Sequence, residues 1–328
     1  MKKKIVTIGG GTGHYTILSG LKEKDLDICA VVSMADDGGA QGTLRDEMGV
    51  LPPSDVRKCL IALSWATPQM RELFGFRFSH KDLEGHTVGN LIISALEKIT
   101  GNFAEAAHEA GKIFNIQGRV LPVTDGDMRM HVVLKNGDVL KGEKMLDDNK
   151  DVWEHGVESI ALDDSMQANT NAIEAIRDAD AVIIGPGDLY GSVAPNLLVE
   201  GMPEALHNTK AKLIYVSNLT NKRGQTAGFD TREYAKRINE YIGSDRIDAV
   251  LCNSQEPSIE LRKKYEEQEG EGMFVACDDC HDCKYDVIHA DLLATEIPKV
   301  QDGDTLAHSR SFIRHDSKKL ADAIMSLL

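Results

Sequence analysis

Lys4-Ile5-Val6-Thr7-Ile8-Gly9-Gly10-Gly11-Thr12-Gly13 reads as an apolar β-strand that opens through glycines into a helix. A second stretch repeats the design, with Ala181-Val182-Ile183-Ile184 running into Gly185-Pro186-Gly187-Asp188. Such an elbow leaves backbone N–H groups unpaired at the positive end of a helix dipole, a setting that suits a phosphate. The first elbow departs from the G-x-G-x-x-G dinucleotide fingerprint, because His14 stands at the place of its third glycine, and it lacks the Lys-Ser/Thr of a P-loop. A turn that serves only tight strand-to-helix packing is the plainer alternative for so glycine-rich a loop.

Outward from the elbows, strand and helix alternate. A helical stretch from Tyr15 to Lys22 is followed by the strand Ile28-Cys29-Ala30-Val31-Val32, which ends at Asp36-Asp37-Gly38-Gly39. Helical periodicity recurs in Val56 to Ala66, Val88 to Ile99 and Phe103 to Phe114. After Gly118 the period changes: Arg119 to Thr124 reads as a strand, and Met128 to Leu134 alternates toward the tight-turn signal Asn136-Gly137 before Val139 to Gly142 returns. This predicts an antiparallel hairpin insertion around residues 119–145. Strands resume at Ala181 to Ile184, Leu213 to Val216 and Ile247 to Leu251, with helices from Val193, Arg232 and Ser258. The expected fold is one α/β domain over residues 1–328, a Rossmann-like, doubly wound, mainly parallel sheet with its ligand at the carboxyl ends of the strands. Those ends carry Gly9, Asp36, Asp37, Gly185, Asn218 and Asn253.

Composition narrows the function. A chain of 328 residues buries roughly 75% of its surface on folding, and its longest apolar runs fall short of the roughly 18 residues of a membrane span. The start, Met1-Lys2-Lys3-Lys4, leads straight into a short strand with no longer apolar region, which reads as cytoplasmic. A net charge of −15 opposes binding to nucleic acid or anionic lipid. A phosphate ligand must therefore be held locally, by loop amides, a few Arg or Lys, or a divalent cation.

Particular residues stand out against this frame. Asp36 and Asp37, side by side at a strand end, suit a divalent cation bridging phosphates or a base that accepts a proton; an exposed turn is the plainer reading. Ser54 or Asp55 would cap the helix from Val56, and Arg57 and Lys58 in its first turn ask for an anion nearby. Asn90 and Asn196 lie inside apolar helical runs and must find hydrogen bonds. The acidic stretches Asp147 to Glu154 and Glu266 to Glu271 read as solvated. Cys29, Cys59 and Cys252 lie in apolar segments, as reduced thiols usually do. Cys277, Cys280 and Cys283, at C-x-x-C-x-x-C spacing, could bind zinc with His281 or His289, or form a loop with free thiols; no disulfide framework is expected.

Taken in order, Ile8-Gly9-Gly10-Gly11-Thr12-Gly13, Ala35-Asp36-Asp37-Gly38-Gly39, Pro53-Ser54-Asp55-Val56-Arg57, Gly85-His86-Thr87-Val88-Gly89-Asn90-Leu91, Gly118-Arg119-Val120-Leu121-Pro122 and Ile184-Gly185-Pro186-Gly187-Asp188-Leu189-Tyr190-Gly191-Ser192 resemble the YvcK-type gluconeogenesis factors. That family belongs to the wider CofD-like superfamily, named for 2-phospho-L-lactate transferase. The resemblance spans nearly the whole chain. It implies a cytoplasmic bacterial protein that binds UDP-sugars such as UDP-N-acetylglucosamine, or another nucleotide diphosphate, with no required cofactor. A homodimer and a role in carbon metabolism and cell shape go with it.

Position by position, the resemblance implies a pocket lined by Gly9, Gly10, Gly11, Thr12, Gly13, Gly185, Pro186, Gly187, Leu189 and Ser192. Asp36, Asp37 and Asn90 would stand at its centre, with Asp55, Arg57, Asn196 and Asn218 in the same set. Tyr265 and Arg314 match positions at the sugar nucleotide, where a ring can stack a base and a guanidinium can grip a diphosphate. The chain departs from the family pattern at Ser54, where Gly is usual, at Asp188, where Ser is usual, and at Gly191, where Thr is usual. Asp188 beside a phosphate is unfavourable unless a cation bridges it or it turns away to cap a helix. The alternative is a transferase that moves a phospholactyl group from a guanosine diphosphate conjugate to a deazaflavin, with Asp36 or Asp37 catalytic and holding Mg²⁺. The Ala-Asp-Asp-Gly-Gly run favours a non-catalytic regulator, for which no metal ligand is assigned. A nicotinamide-dependent dehydrogenase ranks third, for want of the third glycine.

Overall fold

The computed structural model describes residues 2–37, 45–46, 48–80, 83–147, 149–277, 280, 282–295 and 311–328; Gly38, Gly39 and His281 fall outside them. Ten strands are described: β1 Lys3–Gly9, β2 Leu26–Val32, β3 Arg119–Pro122, β4 Met130–Leu134, β5 Val139–Lys141, β6 Val157–Leu162, β7 Ala181–Ile184, β8 Lys212–Val216, β9 Ala249–Asn253 and β10 Asp286–Ala290. Seven of them form one parallel sheet in the order β10-β9-β8-β7-β1-β2-β3. Helices cover both faces of such a sheet, so its central strands are apolar throughout; all four residues of β7 are buried.

The chain leaves β1 outward through β2 and β3, then returns to the other side of β1 and runs outward again from β7 to β10. That reversal is the topological switch point of a doubly wound sheet, where a crevice opens beyond the carboxyl ends. The two strands that flank it are the two that end in glycine elbows. They finish level, with Ile8 paired to Ile184.

The antiparallel insertion is real, but its bounds differ from the expectation. Arg119–Pro122 is not part of it; this stretch is the parallel edge strand β3, paired to β2 from Cys29↔Arg119 onward. Gly118, at φ +107, makes this possible, because a Cβ there would stand 2.6 Å from the Ile28 carbonyl oxygen. The smaller sheet runs β5-β4-β6 and gains its third strand from Val157–Leu162. The acidic stretch before β6 hides a short helix, Lys150–His155, whose first amides are capped by Asn149.

Caps and glycines set the helix ends. Val88–Thr100 starts at Thr87, whose hydroxyl accepts from the Asn90 amide, and stops at Gly101 in the left-handed region. Helix Gly11–Leu21 lies against the last helix, Ser317–Leu327, at Gly20, where a Cβ would meet the Ser317 carbonyl oxygen at 1.9 Å. Among the described residues, no helix is long and apolar enough to cross a membrane.

Candidate functional site

The two elbows meet. Gly13, at the start of helix Gly11–Leu21, lies so close to the second elbow that a Cβ would stand 2.1 Å from the Pro186 carbonyl oxygen and 3.2 Å from the Gly187 nitrogen. Above them opens a cleft of ≈ 430 Å³, walled on one side by Gly10 to Gly13 and on the other by Pro186, Gly187, Leu189, Gly191 and Ser192. Asn196 ties the elbows from below, its Nδ2 donating to the Ser192 carbonyl (2.8 Å) and the Gly9 carbonyl (3.4 Å). His14 explains the missing third glycine. Its ring is buried beneath the elbow with Nε2 2.7 Å from Thr7 Oγ1, and desolvation holds it neutral, its pKa lowered to about 4.

Not every elbow amide is free. The Gly11 amide donates to Asp55 Oδ2 at 2.8 Å, while Lys58 Nζ holds Asp55 Oδ1 at 2.7 Å. Asp55 therefore does not cap its helix: Ser54–Leu63 begins at Pro53 with no side-chain cap, and the carboxylate reaches across to the first elbow instead. Lys58 has its anion in Asp55, and the Arg57 Nε donates to Asn90 Oδ1 at 2.8 Å. Burial alone would raise the Asp55 carboxyl, but Lys58 and the Gly11 amide hold it low.

The far wall is ionic. Asp188 Oδ1 accepts from the Tyr190 and Gly191 amides at 3.2 and 3.3 Å, and its Oδ2 lies 2.7 Å from Lys222 Nζ. The same ammonium contacts Asp147 Oδ1 at 2.9 Å, and the pair of carboxylates raises its pKa against the cost of burial. Glu143 is half-buried on the insertion side of the cleft. Desolvation first, then Asp36, Asp147, Asp188 and Asp37, push its carboxyl well above the ordinary range. His315 completes the rim; burial lowers its pKa to about 4, and its Nε2 has no hydrogen-bond partner among the described residues.

Thirteen of the residues that the resemblance assigned to the pocket line this cleft: Gly10, Gly11, Thr12, Gly13, Asp36, Asp55, Pro186, Gly187, Leu189, Ser192, Asn218, Tyr265 and Arg314. Gly9 and Gly185 fall outside the lining; the Gly185 amide donates to the Ile8 carbonyl at 3.0 Å. Asp37, Arg57, Asn90 and Asn196 stand outside the lining. Asp37 accepts the Lys144 amide at 2.8 Å and so anchors the insertion.

Two side chains play parts that differ from those their residue types suggested. Tyr265 is 1% exposed; its ring packs on Phe274 and Phe312 and its hydroxyl donates to the Asn221 carbonyl, so it shores up the wall and offers no open face to a base. Asn218 bridges strand end to elbow, its Nδ2 donating to the Gly187 carbonyl at 2.8 Å. Glu143, Lys222, Thr226 and His315 were not picked out from sequence, and Asp147, read there as solvated, is drawn into the wall by Lys222. Lys222 follows the end of β8 closely and His315 adjoins Arg314, so the strand-end rule could have found both; nothing marked the insertion as a wall.

At the C-terminal cysteines, Cys280 and Cys283 are joined as a disulfide, while Cys277 is free and half-buried. Two of the three expected ligands or free thiols are thus bonded to each other. Among the described residues, no group of three or more His, Cys, Asp or Glu side chains is arranged to hold a metal ion.

These features define a Rossmann-like α/β protein with one polar, glycine-walled cleft at the switch point of its sheet. Residues 5–293 match the family described as 2-phospho-L-lactate transferase CofD, and the chain belongs to that family. Within it, the chain is 35% identical over 329 residues to the gluconeogenesis factor of Bacillus subtilis, covering 100% of this chain and 98% of the relative. It is 34% identical over 325 residues to the gluconeogenesis factor of Halalkalibacterium halodurans, covering 99% and 96%. A crystal structure of a UPF0052 family member from Bacillus halodurans superposes with a TM-score of 0.88 at 32% identity, covering 99% of both chains. By homology the chain is grouped with the gluconeogenesis factors.

Proposed function

We propose that the cleft binds a nucleotide sugar of the UDP-N-acetylglucosamine kind and that the protein acts as a ligand-sensing regulator of carbon metabolism and cell shape, without turnover. The observation that carries this reading is the contact of Gly13 with Pro186, which brings two glycine elbows onto one cleft of ≈ 430 Å³, a volume ordinary for a small-molecule site. Arg314 supplies a guanidinium at the rim, suited to a bidentate grip on phosphate. Purified protein should gain thermal stability with UDP-N-acetylglucosamine, and Arg314→Ala should remove that gain. No shift with any UDP-sugar overturns the reading.

The transferase alternative is favoured by the family description and by the acidic wall of Asp36, Glu143, Asp147 and Asp188. It needs Mg²⁺ at Asp36 or Asp37, and the described residues offer no set of three ligands there, so no step is assigned to a metal. Phospholactyl transfer from the guanosine diphosphate donor to a deazaflavin would establish this alternative at the regulator's expense.

A further inference from the structure

Cys277 lies where several groups able to stabilise a thiolate converge. Its Sγ is 3.0 Å from Thr231 Oγ1 and 3.9 Å from Ser217 Oγ. Thr231 Oγ1 is also 3.7 Å from the sulfur of Cys252, a fully buried residue of β9. Thr231 opens the helix Thr231–Ile242, so two thiols share one hydroxyl at a helix N-terminus, a place that favours thiolate. That hydroxyl is 2.9 Å from the Ala276 carbonyl as well, and its one proton can serve either acceptor. The Cys277 pKa is lowered to about 6, first by the hydrogen bond from Cys252, then, against desolvation, by Thr231, Ser217 and the charge of His289, which pairs with Cys252 across β9 and β10. Three residues further on stands the Cys280–Cys283 disulfide.

The geometry points to an internal dithiol–disulfide relay in which Cys252 and Cys277 exchange with the Cys280–Cys283 bond. The Cys277 thiolate attacks the sulfur of Cys280; the Cys280–Cys283 bond breaks, a Cys277–Cys280 bond forms, and Cys283 leaves as a thiolate that takes up the proton Cys277 gave up. Cys252, losing its proton, then attacks the sulfur of Cys277. A Cys252–Cys277 bond closes and Cys280 leaves, to be protonated by the proton from Cys252. Two electrons and two protons pass from the inner pair to the outer pair, with no external oxidant. The first step exchanges one C-x-x-C ring for another of the same sequence separation, three, so loop entropy does not oppose it.

The inner bond would fasten β9 to the segment that supports the cleft wall. Met273 accepts the Asn221 amide at 2.8 Å, and the Val275 amide donates to the carbonyl of Leu219, a cleft residue, at 3.2 Å. That consequence rests on the function proposed above; the exchange itself does not.

The test is disulfide mapping of the full-length protein, held without reductant, acid-quenched and alkylated before digestion. A Cys252–Cys277 peptide alongside Cys280–Cys283 is expected. In Cys252→Ser a Cys277–Cys280 peptide should replace it. Alkylation of wild-type Cys277 should reach half its maximal rate near pH 6, and Cys252→Ala, which removes the hydrogen-bond donor, should move that midpoint upward. The midpoint is the informative readout, because a thiol of lower pKa is also a weaker nucleophile and rates at neutral pH nearly cancel. A wild-type map with the Cys280–Cys283 link alone, or a midpoint above about pH 8, overturns the relay whether or not any nucleotide binds.

Discussion

Gly13→Ala tests the contact on which the cleft depends. The added methyl would stand 2.1 Å from the Pro186 carbonyl oxygen, whereas ordinary contact begins at 3.4 Å, so the elbows must separate by about 1.3 Å. Overpacking against a backbone atom costs about 3 kcal/mol at the upper end of its usual range, and the gain in helix propensity returns about 1 kcal/mol. The net loss is about 2 kcal/mol. With an unfolding entropy of about 2.1 cal/mol/K per residue, that lowers Tm by about 3 °C. Gly20→Ala is the matched control: it sits in the same helix and meets the Ser317 carbonyl at 1.9 Å, but away from the cleft. Saturating nucleotide sugar at about a hundredfold its Kd stabilises by about 2.7 kcal/mol, about 4 °C here. In melts with and without UDP-N-acetylglucosamine, both variants should lose stability, and only Gly13→Ala should lose the ligand-dependent rise. A Gly13→Ala protein that melts at the wild-type temperature and keeps the full rise refutes the argument.

Lys222→Met leaves Asp147 and Asp188 unpaired, and with those groups partly exposed the cost is about 2 kcal/mol in urea unfolding; a neutral effect would mean the carboxylates are solvated. His14 and His315 fold neutral with pKa about 4 against 6.5 unfolded, so protonation favours the unfolded chain. Each removes about 3 kcal/mol as pH falls from 6.5 to 4, and His315→Gln should lose visibly less than wild type over that window. Glu143 has a raised carboxyl pKa, so its penalty appears as pH rises above the ordinary carboxylate range. Glu143→Gln should be more stable than wild type at pH 8 and equal to it near pH 4; a pH-independent difference counts against the cause assigned.

The parts legible in the sequence were those set by local chemistry. Apolar runs broken by glycines marked β1 and β7, and the levelling of Ile8 with Ile184 follows from a parallel ladder between them. The helices from Val88 and Phe103 showed their periodicity, and those read from Arg232 and Ser258 begin at Thr231 and Ile259. The partner of Arg119–Pro122 was harder to read, because a four-residue strand looks alike in a hairpin and at a parallel edge, and only the close approach of Gly118 to Ile28 separates the two. β6 escaped because Val157–Leu162 carries Glu158 and Ser159 and alternates weakly.

Charge balance was the least legible property, since it depends on groups far apart in the chain. Asp188 shows why. Sequence posed two ways for a carboxylate to survive beside a phosphate site, a bridging cation or a helix cap; the folded protein shows the cap, with one oxygen on the Tyr190 and Gly191 amides, and pairs the other oxygen with the Lys222 ammonium. Lys222 lies 34 residues beyond Asp188, and Asp147 approaches from the insertion, so neither contact leaves a local signature. The same convergence traps Glu143 among four carboxylates and favours its protonated form. A Glu143 that holds its proton more tightly than an ordinary carboxyl and a paired Asp188 both reduce the negative field of this wall, which would favour the proposed diphosphate across the elbows in a chain of net charge −15.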